Sequence, residues 1–142
     1  MHDAMISAAQ RGAETLFALA RQARLHAVCP YSRYAVGAAL MDESGRIWLG
    51  ANIENGAYSP TICAERVALS KAVFDGARQF VMIAVAGGDV GVETVQDCAP
   101  CGVCRQALSE FFMPQTRWVF SQGGTLHVCD SEEMMPYAFA LR

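Results

Sequence analysis

Residues 64–88, AERVALSKAVFDGARQFVMIAVAGG, hold the two kinds of regular structure that decide the fold. From residue 64 to 77 apolar residues recur with the period of a helix, and Gly76 stops that pattern. Phe80 to Ala86 is a continuous apolar run followed by two glycines, which is typical of a buried strand. A helix followed by a buried strand predicts an α/β fold.

Upstream, the sequence predicts a helix over residues 4 to 26 or so, and then a hairpin. The helix is indicated by apolar residues at intervals of three and four, namely Ile6, Ala9, Ala13, Leu16, Phe17 and Ala20. Pro30 lies beyond its end. Tyr34 to Met41 and Arg46 to Ile53 are rich in β-forming residues, and the turn Asp-Glu-Ser-Gly at 42–45 joins them. This pattern predicts two antiparallel strands.

Downstream, the pattern predicts a further helix and two late strands. Gly102 to Phe112 has helical periodicity, whereas Arg117 to Ser121 and Thr125 to Cys129 flank a Gly-Gly pair as strands. Gly91 to Ala99 is predicted to be a loop. The whole order predicts an α/β fold with three layers, α/β/α, around a mixed sheet of about five strands. With no repeat or linker in the sequence, we expect residues 1–142 to form a single domain.

Composition narrows the classes of function. A formal net charge of −3 and only 11 Lys and Arg, without a basic cluster, argue against binding nucleic acid. No apolar run reaches the roughly 18 residues that a membrane-spanning helix needs. We therefore expect a cytoplasmic protein that acts on a small molecule. Six cysteines are too few for a disulfide scaffold at this length, so clustered ones indicate metal binding or catalysis.

Three of the cysteines lie in two short segments, TICAER at 61–66 and PCGVCR at 100–105. Both segments begin predicted helices, where the exposed N–H groups stabilise a thiolate. Cys101 and Cys104 share one face of a first helical turn, and Cys63 can approach from a neighbouring helix. Three thiolates leave one tetrahedral position of a Zn²⁺ ion open, as in a catalytic site. The Cys-x-x-Cys pair alone would fit a structural zinc knuckle or a redox pair equally well.

Glu65 is the candidate proton carrier beside this metal site. In an ideal helix a residue two positions after Cys63 is rotated by about 200°. Its carboxylate therefore reaches the metal side only if the first turn of the helix is irregular.

The combination Cys-Ala-Glu followed by Pro-Cys-x-x-Cys resembles the zinc-dependent nucleoside deaminases. Cys63, where other branches carry His, is similar to the homotetrameric branch of the cytidine deaminases. The likeness runs from about residue 15 to 141 and includes Cys29-Pro30-Tyr31-Ser32, Asn52-Ile53-Glu54-Asn55 and Cys104-Arg105-Gln106. It implies hydrolytic deamination of cytidine or 2′-deoxycytidine to the uridine product and ammonia, in pyrimidine salvage.

The resemblance also implies roles for single residues. Glu65 would act as general acid and base, with one Zn²⁺ per chain on Cys63, Cys101 and Cys104. For the nucleoside, the resemblance implies that Asn52 and Glu54 hold the ribose, that Tyr34 stacks on the base and that the Ala64 backbone contacts the pyrimidine. For the metal, it implies that Arg66 contacts the zinc thiolates. In a homotetramer, Tyr58 and Phe139 would complete the active site of a neighbouring subunit.

Several positions depart from the family pattern. Tyr34 stands where Phe is usual, Ala35 where Pro is frequent, and Asp97-Cys98-Ala99 is an unusual approach to Pro100. Two alternatives therefore stay open at this point: a deaminase of a modified cytosine nucleoside of the blasticidin type, or a non-catalytic zinc-containing nucleoside-binding protein. The segment 133–139 is apolar, and we expect much of it to be exposed in a monomer and covered in an assembly.

Overall fold

The computed structural model describes residues 2–141, with the side chains of residues 12–141. Ile6 and Ala9, which helped to predict the first helix, lie outside the described side chains. Over residues 2–141 the elements are, in order, α1 (His2–Ala23), a 3₁₀ turn (Arg24–His26), β1 (Tyr34–Asp42), β2 (Ile47–Ala51), α2 (Ala64–Phe74), β3 (Phe80–Asp89), α3 (Gly102–Ser109), β4 (Phe112–Gln122), β5 (Thr125–Asp130) and α4 (Ser131–Met134). None of the helices in that range is long and apolar enough to cross a membrane.

The strands form one mixed sheet with the order β2-β1-β3-β4-β5 over the described residues. β1 is antiparallel to both β2 and β3, β3 is parallel to β4, and β4 is antiparallel to β5. The predicted hairpin and the mixed five-stranded sheet are therefore confirmed.

Helices cover both faces of the sheet. On one face, α1 packs through Ala13, Leu16 and Ala20 against the side chains of alternate residues in β1, β3 and β4. On the other face, α2, α3 and α4 pack on the intervening residues, with Phe80 and Trp118 at the centre. The alternation follows from the two-residue period of a strand, which sends successive side chains to opposite faces. The predicted α/β/α layering is confirmed.

Gly50 on β2 positions the start of α2. A Cβ atom on Gly50 would overlap the backbone of Ala64 and Ala68, so a side chain at this position would push the helix away from the sheet. The absence of that side chain lets the first turn of α2, which carries Glu65, lie directly on the sheet.

Several boundaries differ from the prediction, and β4, predicted from Arg117, begins five residues earlier at Phe112. The helix predicted through Phe112 ends at Ser109, because Phe112 instead begins β4 and packs its ring 4.9 Å from that of Trp118. The strand predicted through Ile53 ends at Ala51. Beyond it, the Asn52 backbone N–H still donates to the Val36 carbonyl over 3.2 Å, and the Asn52 side-chain amide adds bonds to Val36 and Tyr34 where the regular ladder ends.

The C-terminal segment is mostly exposed in the single chain. Glu133 and residues 136–139 are exposed, which confirms the expectation that a monomer leaves much of this segment uncovered. Asp130 and Glu133 form a capping box that begins α4, and this short helix buries Met134 to 5% exposure. Met135 also packs on the core, so the two methionines are the covered part of the segment.

Candidate active site

The site lies where two helices begin. Cys63 is the N-cap of α2 and Cys101 is the N-cap of α3. Each helix precedes one of the two parallel strands β3 and β4, so both helices begin at the carboxyl ends of these strands, where α/β sheets usually bind ligands. The predicted helix starts are confirmed at both cysteines.

The sulfur atoms of Cys63, Cys101 and Cys104 all lie within 4.8 Å of one another. The Sγ atoms of Cys63 and Cys101 are 3.8 Å apart. Zn–S bonds of about 2.3 Å in a tetrahedral arrangement separate two sulfurs by about 3.8 Å. Cys104 is buried and Cys101 is exposed, so the cluster has a closed side and an open side. Distance and donor type therefore both fit one Zn²⁺ per chain.

Arg66 places a positive charge beside the sulfur atoms. Its Nη2 donates to Cys63 Sγ over 3.6 Å, and the hydrogen bond to this thiolate raises the pKa of the guanidinium. Its Nε is buried and has no hydrogen-bond partner among the described residues. Three thiolates on Zn²⁺ carry a net charge of −1, which the guanidinium partly offsets.

The protein prepares a thiolate even without metal. A hydrogen bond from Cys104 lowers the pKa of Cys63 to about 5, and Arg66 acts in the same direction although burial opposes it. The same hydrogen bond raises the pKa of Cys104, which keeps its proton longer. Because zinc binds thiolates, the lowered pKa of Cys63 favours metal binding at this position.

Glu65 is the second residue of α2 and is 3% exposed. Burial raises the pKa of its carboxyl group to about 7. The carboxylate accepts a hydrogen bond from its own backbone N–H and one from the Cys104 thiol, whereas the nearby charge on Cys63 acts to raise the pKa. The side chain thus folds back over the first turn and lies beside the sulfur cluster, despite the rotation of an ideal helix.

Asn52 and Glu54 follow β2 and contact the beginning of β1. Asn52 Oδ1 accepts from the Val36 N–H over 2.9 Å, and its Nδ2 donates to the Tyr34 carbonyl over 3.0 Å. Glu54 Oε1 accepts from the backbone N–H groups of Tyr31 and Ser32 over 3.0 and 3.1 Å. Hydrogen bonding to Ser32 lowers the pKa of Glu54, which keeps the carboxylate charged.

The remaining predicted residues differ in exposure. Ala64 is fully buried at the start of α2, and Tyr34 is half-buried at the start of β1. Tyr58 is 81% exposed and has a left-handed backbone with φ of 64°. Phe139 is 68% exposed, and its carbonyl accepts from Gln106 Nε2 over 3.3 Å. The single chain thus leaves the rings of Tyr58 and Phe139 largely uncovered.

Sequence reasoning assigned no role to Cys98, which lies close to this site. Its sulfur and the Tyr34 ring both lie over Gly87 of β3, and burial raises the pKa of its thiol to about 11. Cys98 is three residues before Cys101, so a second Cys-x-x-Cys spacing was visible in the sequence. The preceding Asp97 accepts from Gly123 and Gly124 N–H groups over 2.7 and 3.2 Å, which fixes the loop that leads to Cys101.

Three thiols set for zinc at two helix starts, with a buried carboxylate beside them, define the class of zinc-dependent deaminases. Residues 10–121 match the cytidine and deoxycytidylate deaminase zinc-binding region. The chain belongs to this family of deaminases.

Individual relatives support the same family. The chain is 50% identical to the cytidine deaminase of Sporosarcina psychrophila over 98 residues, which cover 69% of this chain and 68% of the relative. It is 42% identical to the cytidine deaminase of Halalkalibacterium halodurans over 119 residues, which cover 83% of this chain and 86% of the relative. The crystal structure of cytidine deaminase from Burkholderia pseudomallei superposes with a TM-score of 0.78 at 38% identity, covering 89% of this chain and 98% of that one.

Proposed function

We propose that this chain deaminates cytidine and 2′-deoxycytidine hydrolytically, releasing the corresponding uridine nucleoside and ammonia. The observation that carries the proposal is the position of Glu65, a buried carboxylate that contacts the Cys104 thiol of the sulfur cluster. A zinc knuckle that served only folding would need no such carboxylate.

Cys63, Cys101 and Cys104 are the proposed metal ligands, and Arg66 together with the two helix N-termini offsets their charge. When bound, Zn²⁺ lowers the pKa of a water molecule at its open position and so makes that water a nucleophile at neutral pH.

Glu65 moves the protons in this proposal. Its carboxylate takes one proton from the attacking water and delivers it to N3 of the base, and then takes the remaining proton of the same oxygen and delivers it to the amine, which leaves from C4 as ammonia. Burial keeps bulk water away from this carboxylate and thereby directs its protons to the substrate.

Substrate contacts would come from β1, the segment after β2, and the start of α2. Tyr34 supplies the aromatic face for the base, and the first-turn N–H groups near Ala64, which lack partners within the helix, face the pyrimidine. Asn52 and Glu54 bind the ribose hydroxyls. Because a bare base makes none of these ribose contacts, the site favours a nucleoside over free cytosine.

A substrate panel tests the proposal. Ultraviolet absorbance and ammonia release would be followed with cytidine, 2′-deoxycytidine, cytosine and blasticidin S. We expect ammonia from both nucleosides and little from cytosine. Turnover confined to blasticidin S would assign the chain to modified nucleosides, and zinc binding without ammonia from any compound would make it a binding protein. Activity with cytidine would agree with a role in pyrimidine salvage in the cytoplasm, which we propose as its setting.

We further propose a homotetramer of dihedral symmetry in which Tyr58 and Phe139 reach a neighbouring active site. Both rings are mostly exposed, and Tyr58 keeps a left-handed backbone that is rare for an aromatic residue. Arg105 Nη1 donates to the Met134 carbonyl over 3.3 Å, and this bond anchors the segment that presents Phe139.

Point variants test the assembly without removing the buried Met134. Phe139→Ala and Tyr58→Ala should lower activity and weaken the tetramer, as measured by kinetics and light scattering. Phe74→Ala, which changes an aromatic residue 91% exposed at the end of α2, is the control. A parent protein that is monomeric and fully active would contradict the shared site.

A further inference from the structure

A buried arginine joins the start of β1 to the turn that follows β3. Arg24 lies in the 3₁₀ turn after α1 and is 5% exposed. Its Nε donates to the Ala35 carbonyl over 3.1 Å, and its Nη1 and Nη2 donate to the carbonyls of Val92 and Asp89, each over 3.0 Å. Because a guanidinium is planar and holds its donors in a rigid fork, it fixes these carbonyls relative to one another. Among the side chains of residues 12–141, no carboxylate lies within ion-pair distance of it.

The guanidinium of Arg24 lies on the face of the sheet opposite the sulfur cluster. A Cβ atom at Gly88 of β3 would lie 3.0 Å from Arg24 Nη2, whereas one at the preceding Gly87 would meet the side chains of Tyr34 and Cys98. Successive residues of a strand face opposite sides of the sheet. An effect of Arg24 on the active site therefore has to pass through backbone at the edge of the sheet.

That backbone is a tight turn at residues 89–92. The Val92 N–H donates to the Asp89 carbonyl over 3.2 Å, and Gly91 has a φ of 83°. Val90 is not among the residues with a positive φ. These features define a type II turn with Val90 at its second position, where proline is common. Because Arg24 bonds the carbonyls at both ends, it holds the turn as one piece.

The turn in turn holds the loop that contacts Glu54. The Val90 N–H donates to the Arg33 carbonyl over 2.9 Å. Arg33 has a φ of 57°, a left-handed backbone that is costly for a residue other than glycine and has to be held by its surroundings. Directly before it, the N–H groups of Tyr31 and Ser32 donate to Glu54 Oε1. The position of this carboxylate thus depends on a strained loop that the Val90 N–H secures.

We propose that Arg24 and the turn at residues 89–92 position Glu54 for the ribose hydroxyls of the substrate. Arg24 and the Val90 N–H are positioning groups: they act through the loop 29–33 and do not touch the nucleoside. This role rests on the proposed deamination of cytosine nucleosides and deepens it, because it assigns part of the affinity for the ribose to a buried arginine on the far face of the sheet.

Two variants of Val90 provide the first test. Val90→Pro removes the N–H that reaches Arg33, and the turn should persist because proline suits this position and the preceding Asp89 is in a strand. The KM for cytidine should rise about 5-fold, the equivalent of one net hydrogen bond, with kcat and zinc content unchanged. Val90→Ala keeps the N–H and is the matched control, so its KM should equal that of the parent.

A pair of inhibitors separates positioning of the ribose ligand from a general change in the site. Uridine has both ribose hydroxyls, and 2′,3′-dideoxyuridine has neither, so only uridine can bind a carboxylate through them. In Val90→Pro the inhibition constant of uridine should rise about 5-fold, again the equivalent of one net hydrogen bond. The inhibition constant of 2′,3′-dideoxyuridine should equal that of the parent.

Arg24→Lys tests the arginine itself. Lysine keeps the charge, but its single nitrogen cannot reach carbonyls in three segments at once. The KM for cytidine should rise at least as much as in Val90→Pro. Combining the two changes should raise the KM by less than the product of their separate effects, because both act through the same turn. Arg21→Lys, at an exposed arginine of α1, is the control and should keep the parent KM.

The outcomes separate this role from the function on which it rests. A parent protein inactive on cytidine overturns the proposed function. An active parent combined with a Val90→Pro variant of unchanged KM overturns the positioning role alone. Equal increases in the inhibition constants of the two uridines, or a fall in kcat and zinc content along with the rise in KM, overturn it as well. Should Arg24→Lys fail to fold, the Val90 variants still decide the question.

Discussion

The sulfur cluster and the ribose edge differ in how completely one chain builds them. Cys104 is fully buried and Glu65 is 3% exposed, and both are held by helix starts that pack on the sheet. Asn52 and Glu54 lie beyond the end of β2, and the nearby Tyr58 is 81% exposed. The comparison shows that one chain buries the residues proposed to react, whereas the residues proposed to recognise the substrate lie on more exposed segments between regular elements.

The largest effect is expected at the buried side of the cluster. Cys104→Ala removes a thiol that contacts both Cys63 and Glu65, so zinc binding and activity should be lost and the melting temperature should fall. Metal analysis, a cytidine assay and thermal unfolding measure the three effects. Cys129→Ala, a half-buried cysteine outside the sulfur cluster, is the control and should keep its zinc. Full zinc content in Cys104→Ala would remove this cysteine from the metal site.

At the ribose edge, Asn52→Ala should affect both the fold and the substrate. It removes two hydrogen bonds to β1, which should lower the free energy of unfolding by about 1–3 kcal/mol, and it should also raise the KM for cytidine. Denaturant unfolding and kinetics measure these effects separately. Asn55→Ala, in the same segment, loses only a local bond to Ala57 and is the control. A stable Asn52→Ala variant with the parent KM would contradict the ribose assignment.

Glu54→Gln should give the smallest of these effects and spare the fold. An amide oxygen can still accept from the Tyr31 and Ser32 N–H groups, so the free energy of unfolding should stay close to that of the parent. Loss of the charge should lower kcat/KM for cytidine about 10-fold, since hydrogen bonds to charged groups are the stronger kind. Glu93→Gln, an exposed carboxylate elsewhere, is the control. Parent-like kinetics in Glu54→Gln would exclude a ribose contact.

The difference between the sulfur cluster and the ribose edge also explains which features the sequence alone could predict. The three clustered cysteines lie at helix starts and have short local spacings, so local pattern and metal chemistry predicted that they would converge. The β-rich and apolar runs, the helical periods and their order along the chain likewise predicted the sheet and its layers. Both are local or periodic signals, and they do not depend on knowing which distant residues meet.

Features that depend on tertiary contacts were missed. The helical period through Phe112 is real, but packing of Phe112 on Trp118 and pairing with Phe80 of β3 override it. Burial of Met134 required the position of α4 on the core. Tyr34 and Cys98, which both lie over Gly87, come from different parts of the chain, and neither residue type indicates the other in the sequence.

The most direct test of the account is Glu65→Gln. Glutamine keeps the size of the side chain but cannot carry protons, so the purified variant should retain one zinc per chain and the parent melting temperature, while kcat for cytidine falls at least ~10²-fold. Zinc content and turnover would be measured on the same sample. Near-parent turnover with zinc in place would show that another group carries the protons, and would contradict the central role given to this buried carboxylate.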